Sequence, residues 1–137
     1  MNPAERFADT GYWIALANTR DALHPRARDW SQRLRARLVT TNAVLIEVAD
    51  AFAGERLRAV AGALIEDVLD DPEITVVPLD RPLLLRAFSL YRARGDKDWG
   101  HTDCVSFVVM GERGIVEALA YDQHFVQAGF RALLREG

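Results

Sequence analysis

Along this chain short apolar runs alternate with longer stretches in which apolar residues recur every three or four positions, a pattern of strands separated by helices. Residues 6–9 read as a short strand ending at Asp9, followed by a helical stretch through Tyr12, Trp13, Ile14 and Leu16. A second helix fits residues 24–37, where Ala27, Trp30 and Leu34 share helical spacing, and residues 38–40 form a short strand. Asn42 is a candidate helix cap before an apolar helix over 43–53 that Gly54 closes. Another helix runs over about 55–69. Asp71-Pro72 then breaks the chain ahead of the β-branched strand 74–77. Residues 82–94 read as a helix, 95–100 as a loop, 102–110 as a buried helix and 116–121 as the last clear strand, with Asp122 just past its end. Residues 130–134 add a short edge strand or a short helix, and the pattern does not choose between them.

Strands separated by helices imply a mostly parallel sheet covered on both faces, hence a three-layer α/β/α sandwich. The length of 137 residues, half of them apolar, suits a single domain over 1–137 with a substantial core. No apolar stretch is long enough to span a bilayer and the N-terminus lacks a secretory pattern, so a cytoplasmic protein without membrane contact is expected. The lone Cys104 lies in an apolar run, as a packed thiol does.

A net charge of −3 gives no general attraction to nucleic acid, yet all basic residues except Lys97 are arginine. They cluster at Arg26, Arg28, Arg33, Arg35 and Arg37, and again at Arg81, Arg86, Arg92 and Arg94. Guanidinium forks match phosphate geometry, and solvated helix faces account for the same clusters.

Four carboxylates break their local pattern. Asp9 ends the first strand and Asp122 follows the last clear one. Asp103 heads the apolar run HTDCVSFVVM, and Glu47 sits in NAVLIEVADAFA with Ala43, Val44 and Ala51 three or four residues away. Ligands of open α/β sheets bind beyond the carboxyl ends of the strands, where Asp9 and Asp122 would lie. If Glu47 and Asp103 reach the same crevice from helices, the four charges repel unless a hard divalent cation neutralises them. Each acid has a plainer alternative: turns for Asp9 and Asp122, a first-turn helix carboxylate for Asp103 and an arginine salt bridge for Glu47. Thr102 and Ser106 flank Asp103 and could orient a carboxylate, with helix capping the simpler role for Thr102. Asp96 and Asp98 lie in the preceding charged loop. His24, His101 and His124 share no metal-ligand spacing, so no zinc site is expected.

DTGYWIAL at 9–16, TTNAVLIEVADAF at 40–52, KDWGHTDCVSFVVM at 97–110 and ALAYDQHFVQAGF at 118–130 resemble, in this order, the four acidic motifs of the PIN-domain family. The resemblance implies a magnesium- or manganese-dependent ribonuclease, most like the toxins of VapBC-type bacterial toxin–antitoxin pairs. By motif position Asp9, Glu47, Asp103 and Asp122 match the acidic residues, Thr10 and Asn42 the frequent polar neighbours, and Asp98 an additional acid found in part of the family. HTDC departs from the serine and leucine that many relatives carry before the threonine. The family implies a homodimer, an antitoxin partner whose C-terminal segment enters the acidic cleft, an RNA substrate, and products with 5′-phosphate and 3′-hydroxyl ends.

Carboxylates holding one or two metal ions would serve such a reaction by neutralising the phosphodiester and activating water. Asp9, Glu47 and Asp103 are the expected ligands, and Asp122 would complete the cluster, whether on the same ion or on a second, weaker one. Two aspartate-nucleophile folds fit less well. Gly11 stands where a dehalogenase-like phosphatase needs a second aspartate, and Lys97 lies in a loop rather than after a late strand, as a receiver domain requires. A PIN-like module without turnover is the remaining alternative.

Overall fold

The computed structural model describes residues 4–33, 36–54 and 56–136. Its elements in chain order are β1 (Glu5–Ala8), α1 (Thr10–Ala17), α2 (His24–Arg33), β2 (Arg37–Thr41), α3 (Asn42–Ala51), α4 (Arg58–Asp70) and β3 (Ile74–Val77). There follow α5 (Arg81–Ala93), α6 (His101–Arg113), β4 (Glu117–Leu119), α7 (Gln123–Gln127), β5 (Arg131–Ala132) and a 3₁₀ turn at Leu133–Arg135. The strands form one sheet in the order β3, β2, β1, β4, β5, and every pairing is parallel.

Central β1 pairs Phe7 with Val39 on one side and with Ala118 on the other. These residues, with Ala8 and Leu119, are fully buried, as expected where helices cover both faces of a parallel sheet. Helices α1, α3 and α4 pack on one another, and α5 packs on α6. Crossovers between parallel strands are right-handed almost without exception, and with this strand order that rule puts α1 to α4 on one face and α5 and α6 on the other, the expected α/β/α layers.

The chain builds outward from β1 through β2 to β3, then returns to place β4 on the other flank of β1. Connections leaving the carboxyl ends of β1 and β4 therefore diverge, and in open α/β sheets such a point is where a ligand crevice is expected. The amide of Asp9 donates to Leu119 O at 3.2 Å and joins the two strand ends at the base of that crevice.

Local chemistry sets the boundaries, and several differ from the sequence pattern. Thr41, not Asn42, caps α3: its hydroxyl accepts from Val44 N at 3.1 Å, while Asn42 Oδ1 accepts from Leu79 N at 2.7 Å and ties α3 to the chain beyond β3. The helix expected over 24–37 is helical only to Arg33, and Arg37 already belongs to β2; Leu34 and Arg35 lie outside the described residues. The helix expected from about 55 begins at Arg58, and Glu55 is likewise outside the described residues. Asp80 caps α5 by accepting from Leu83 N at 3.0 Å, with Pro82 in the first turn where its missing N–H costs nothing. Helix α6 runs three residues beyond Met110 and stops at Gly114, whose φ of 67° is left-handed. The strand expected over 116–121 is only Glu117–Leu119, and the five-residue α7 after it has no counterpart in the pattern. Residues 130–134 supply both a strand and a turn, resolving the open choice as each in part.

Candidate active site

Asp9 occupies the junction of β1 and α1 as the α1 N-cap residue, yet its side chain makes no capping bond. Its carboxyl is raised to about 7 from the usual 3.8, first by burial, then by the nearby charges of Asp103, Glu47 and Asp122, with the Thr10 amide opposing. Asp9 therefore lies within the field of the other three acids singled out in the sequence; of the four, only Asp103 and Asp122 bring ligand atoms within 4.8 Å of one another, together with His124.

Glu47 stands on α3, where Thr10 Oγ1 donates to its Oε1 at 2.7 Å. The apolar neighbours that single Glu47 out in the sequence do not bury it. Glu47 is exposed, as are Ile46 and Ala51, because α3 turns only its Ala43, Val44, Leu45 and Val48 face inward. Its hydrogen-bond partner is a hydroxyl rather than an arginine.

Asp103 lies at the third position of α6. Its Oδ2 accepts from Gly100 N at 3.0 Å, reaching back over the first turn as the acidic half of a capping box does. Gly100, not Thr102, is the N-cap. The hydroxyl of Ser106 donates to Thr102 O at 3.1 Å and is buried, so it orients no carboxylate. Asp122 caps α7, accepting from His124 N at 2.9 Å, and its side chain is half exposed.

The residue that the sequence pattern missed is His124. Its Nδ1 lies 3.0 Å from Asp103 Oδ2 and 3.3 Å from Asp122 Oδ1. One ligand atom from each of Asp103, Asp122 and His124 falls within 4.8 Å of the others. Spacing along the chain hid this because Asp103 and His124 belong to different helices. The local hint was its place two residues after Asp122 and beside Phe125, which is fully buried.

Asp98 is exposed and stands outside that group, and Asp96 pairs with Arg94 at 2.9 Å. The other arginines are largely occupied within the protein. Arg33 pairs with Asp29, Arg86 grips Glu112 through two nitrogens, and Arg26 and Arg37 donate to backbone carbonyls. The phosphate-binding reading of the clusters therefore loses most of its members.

Among the described residues no arginine or lysine forms an ion pair with Asp9, Glu47, Asp103 or Asp122. A set of hard oxygen donors in mutual repulsion, with its innermost acid pushed up towards neutrality, fits a hard divalent cation.

The model of the PIN domain matches residues 6–131. The chain belongs to the PIN-domain family. It is 30% identical over 128 residues to the 23S rRNA-specific endonuclease VapC20 of Mycobacterium tuberculosis, in strains CDC 1551 / Oshkosh and H37Rv, covering 90% of this chain and 94% of the relative. The crystal structure of Mycobacterium tuberculosis VapC20, described as a Sarcin-Ricin loop cleaving toxin, superposes with a TM-score of 0.85 at 27% identity, over 92% of this chain and 96% of that one. The sequence resemblance to PIN-domain toxins of the VapC type is thereby borne out, and with it the α/β fold. No helix among the described residues is long and apolar enough to cross a membrane.

Proposed function

We propose that this PIN-domain protein is a magnesium- or manganese-dependent endoribonuclease acting as the toxin of a type II toxin–antitoxin pair. The observation that carries the reading is a buried Asp9 whose carboxyl is raised by burial and by the charges of Asp103, Glu47 and Asp122, with no arginine or lysine among the described residues paired with any of the four. Likeness over most of its length to a 23S rRNA-specific endonuclease makes ribosomal RNA the first substrate to test, beginning with the Sarcin-Ricin loop.

In this reading Asp9, Glu47 and Asp103 bind the cation, with Asp122 completing the set. A divalent cation held there supplies charge neutralisation of the scissile phosphodiester and activation of water. The chain's own contribution is placement. The β1–α1 junction fixes Asp9, the Thr10 hydroxyl holds Glu47 against it, and the Gly100 amide fixes Asp103. In-line attack of water leaves a 5′-phosphate and a 3′-hydroxyl.

The partners follow the same reading. An antitoxin segment carrying an arginine would supply the positive charge that the cleft lacks. A homodimer would cover the exposed Leu84, Leu85, Phe88 and Tyr91 on α5. Purified protein should cleave ribosomal RNA with magnesium or manganese and stop when EDTA is added; cleavage that survives chelation would sink the proposal. Growth arrest on expression, relieved by the neighbouring short gene, tests the toxin assignment. Metal binding without any cleavage would favour a module that has lost turnover.

A further inference from the structure

Helix α7 is short but firmly anchored. Phe125 is fully buried, edge-on to Phe107 with ring centroids 5.0 Å apart and 6.4 Å from Phe7, and Trp99 Nε1 donates to Gln127 Oε1 at 3.1 Å. This anchoring fixes the adjacent His124, whose Nδ1 faces Asp103 Oδ2 at 3.0 Å and Asp122 Oδ1 at 3.3 Å. A bare nitrogen lone pair facing two carboxylate oxygens is repulsive, so the hydrogen sits on Nδ1 and donates to them. Asp103 Oδ2 then accepts twice, from His124 and from Gly100 N, whereas Asp103 Oδ1 has no hydrogen-bond partner among the described residues. An oxygen gripped from two sides stops the carboxylate turning about its last bond and leaves Oδ1 as the free donor to a cation.

We propose that His124 is a positioning residue: its Nδ1–H fixes which oxygen of Asp103 meets the cation and joins Asp103 to Asp122 across two helices. The inference rests on the proposal that these carboxylates hold a divalent cation. Hydrogen-bond partners of ligating carboxylates set metal affinity, and their loss typically weakens it about 10- to 100-fold.

The test is manganese binding to the full chain, by titration and by pulsed electron paramagnetic resonance, in wild type and in His124→Ala, His124→Asn and His124→Gln. Asparagine can place an amide nitrogen near the position of Nδ1; glutamine carries its amide one bond too far. His124→Ala should bind manganese roughly 10- to 100-fold more weakly. His124→Asn should return to within a few-fold of wild type, and His124→Gln should not. Wild type should show no directly coordinated nitrogen. A merely structural role would lower the metal-free melting temperature of His124→Ala and leave its manganese affinity unchanged, which would overturn the proposal. Should His124→Ala not fold, the contrast between asparagine and glutamine still decides. Equal affinity in those two variants, or a nitrogen bound directly to manganese, would also overturn it. Wild type that binds no manganese would overturn the cation reading and this inference with it.

Discussion

The two ends of the sheet carry similar numbers of carboxylates and treat them in opposite ways. At the end where the strands begin, Arg113 pairs with Glu5 at 2.8 Å, Arg6 with Glu117 at 3.0 Å, and Arg131 bridges Glu117 and Glu136. Glu5 and Glu136 are held below the usual carboxylate range by the hydrogen-bonded arginines beside them. At the end where the strands finish, Asp9 is pushed up by burial and by three other acids. The acids at the first end come with arginine counter-charges, whereas among the described residues no arginine or lysine pairs with those at the second.

The largest effect expected from breaking this contrast is on RNA cleavage. Asp9→Asn or Glu47→Gln should reduce it by on the order of 100-fold or more, beyond what losing an outer hydrogen-bond partner costs. Glu5→Gln, at the paired end, should leave it unchanged. An initial-rate assay on a ribosomal RNA fragment measures both, and equal losses at the two ends would erase the distinction.

Next comes stability against pH without metal. Asp9 binds its proton to about pH 7 in the folded state but releases it near 3.8 when unfolded, so the folded protein holds the extra proton between these values. Stability from Asp9 is therefore full below about pH 4 and lost as pH rises through 7, by on the order of 2–4 kcal/mol. Glu5 has the opposite sign: its pKa is lowered, so its contribution is present above the ordinary carboxylate value and lost on acidification. Denaturant melts between pH 4 and 8 should show the loss in wild type, and saturating magnesium or Asp9→Asn should flatten it.

A smaller effect separates the site's own acids. At pH 8 without metal, Asp9→Asn should raise stability by about 1–2 kcal/mol, because it removes repulsion and no capping bond. Asp103→Asn should gain less, since its Oδ2 accepts from Gly100 N and His124 and weakening that turn costs about 1 kcal/mol. A larger gain at Asp103 than at Asp9 would place the centre of repulsion elsewhere. The smallest change expected is at the paired end, where Arg113→Ala should cost no more than about 1 kcal/mol in thermal melts, as half-exposed ion pairs do.

Legibility in the sequence followed the physics of each feature. Strand β3 and helix α5 were readable because a β-branched run after Asp71-Pro72 and a helical stretch opening at Pro82 are local signals. Helix α7 was not, since five residues are too few to show a period and its stability comes from Phe125 entering a core built by distant elements. Among the site residues, Asp9, Asp103 and Asp122 stand where strand ends and a helix start predict. Glu47 stood out for its apolar neighbours, yet the face of α3 that carries it is exposed. His124 escaped because what matters about it is a distance across two helices, which spacing along the chain does not contain.

The position of β1 has a consequence for the timing of synthesis. One neighbour of this first-made strand, β2, follows it directly, but the other, β4, comes near the end of the chain, and the crevice lies between β1 and β4. A nascent chain can pair its first three strands while still attached to the ribosome, but it cannot bring Asp9 beside Asp122 until almost everything has emerged. The acidic centre thus assembles last, and a chain cut short before β4 carries Asp9, Glu47 and Asp103 with no strand to close the crevice around them.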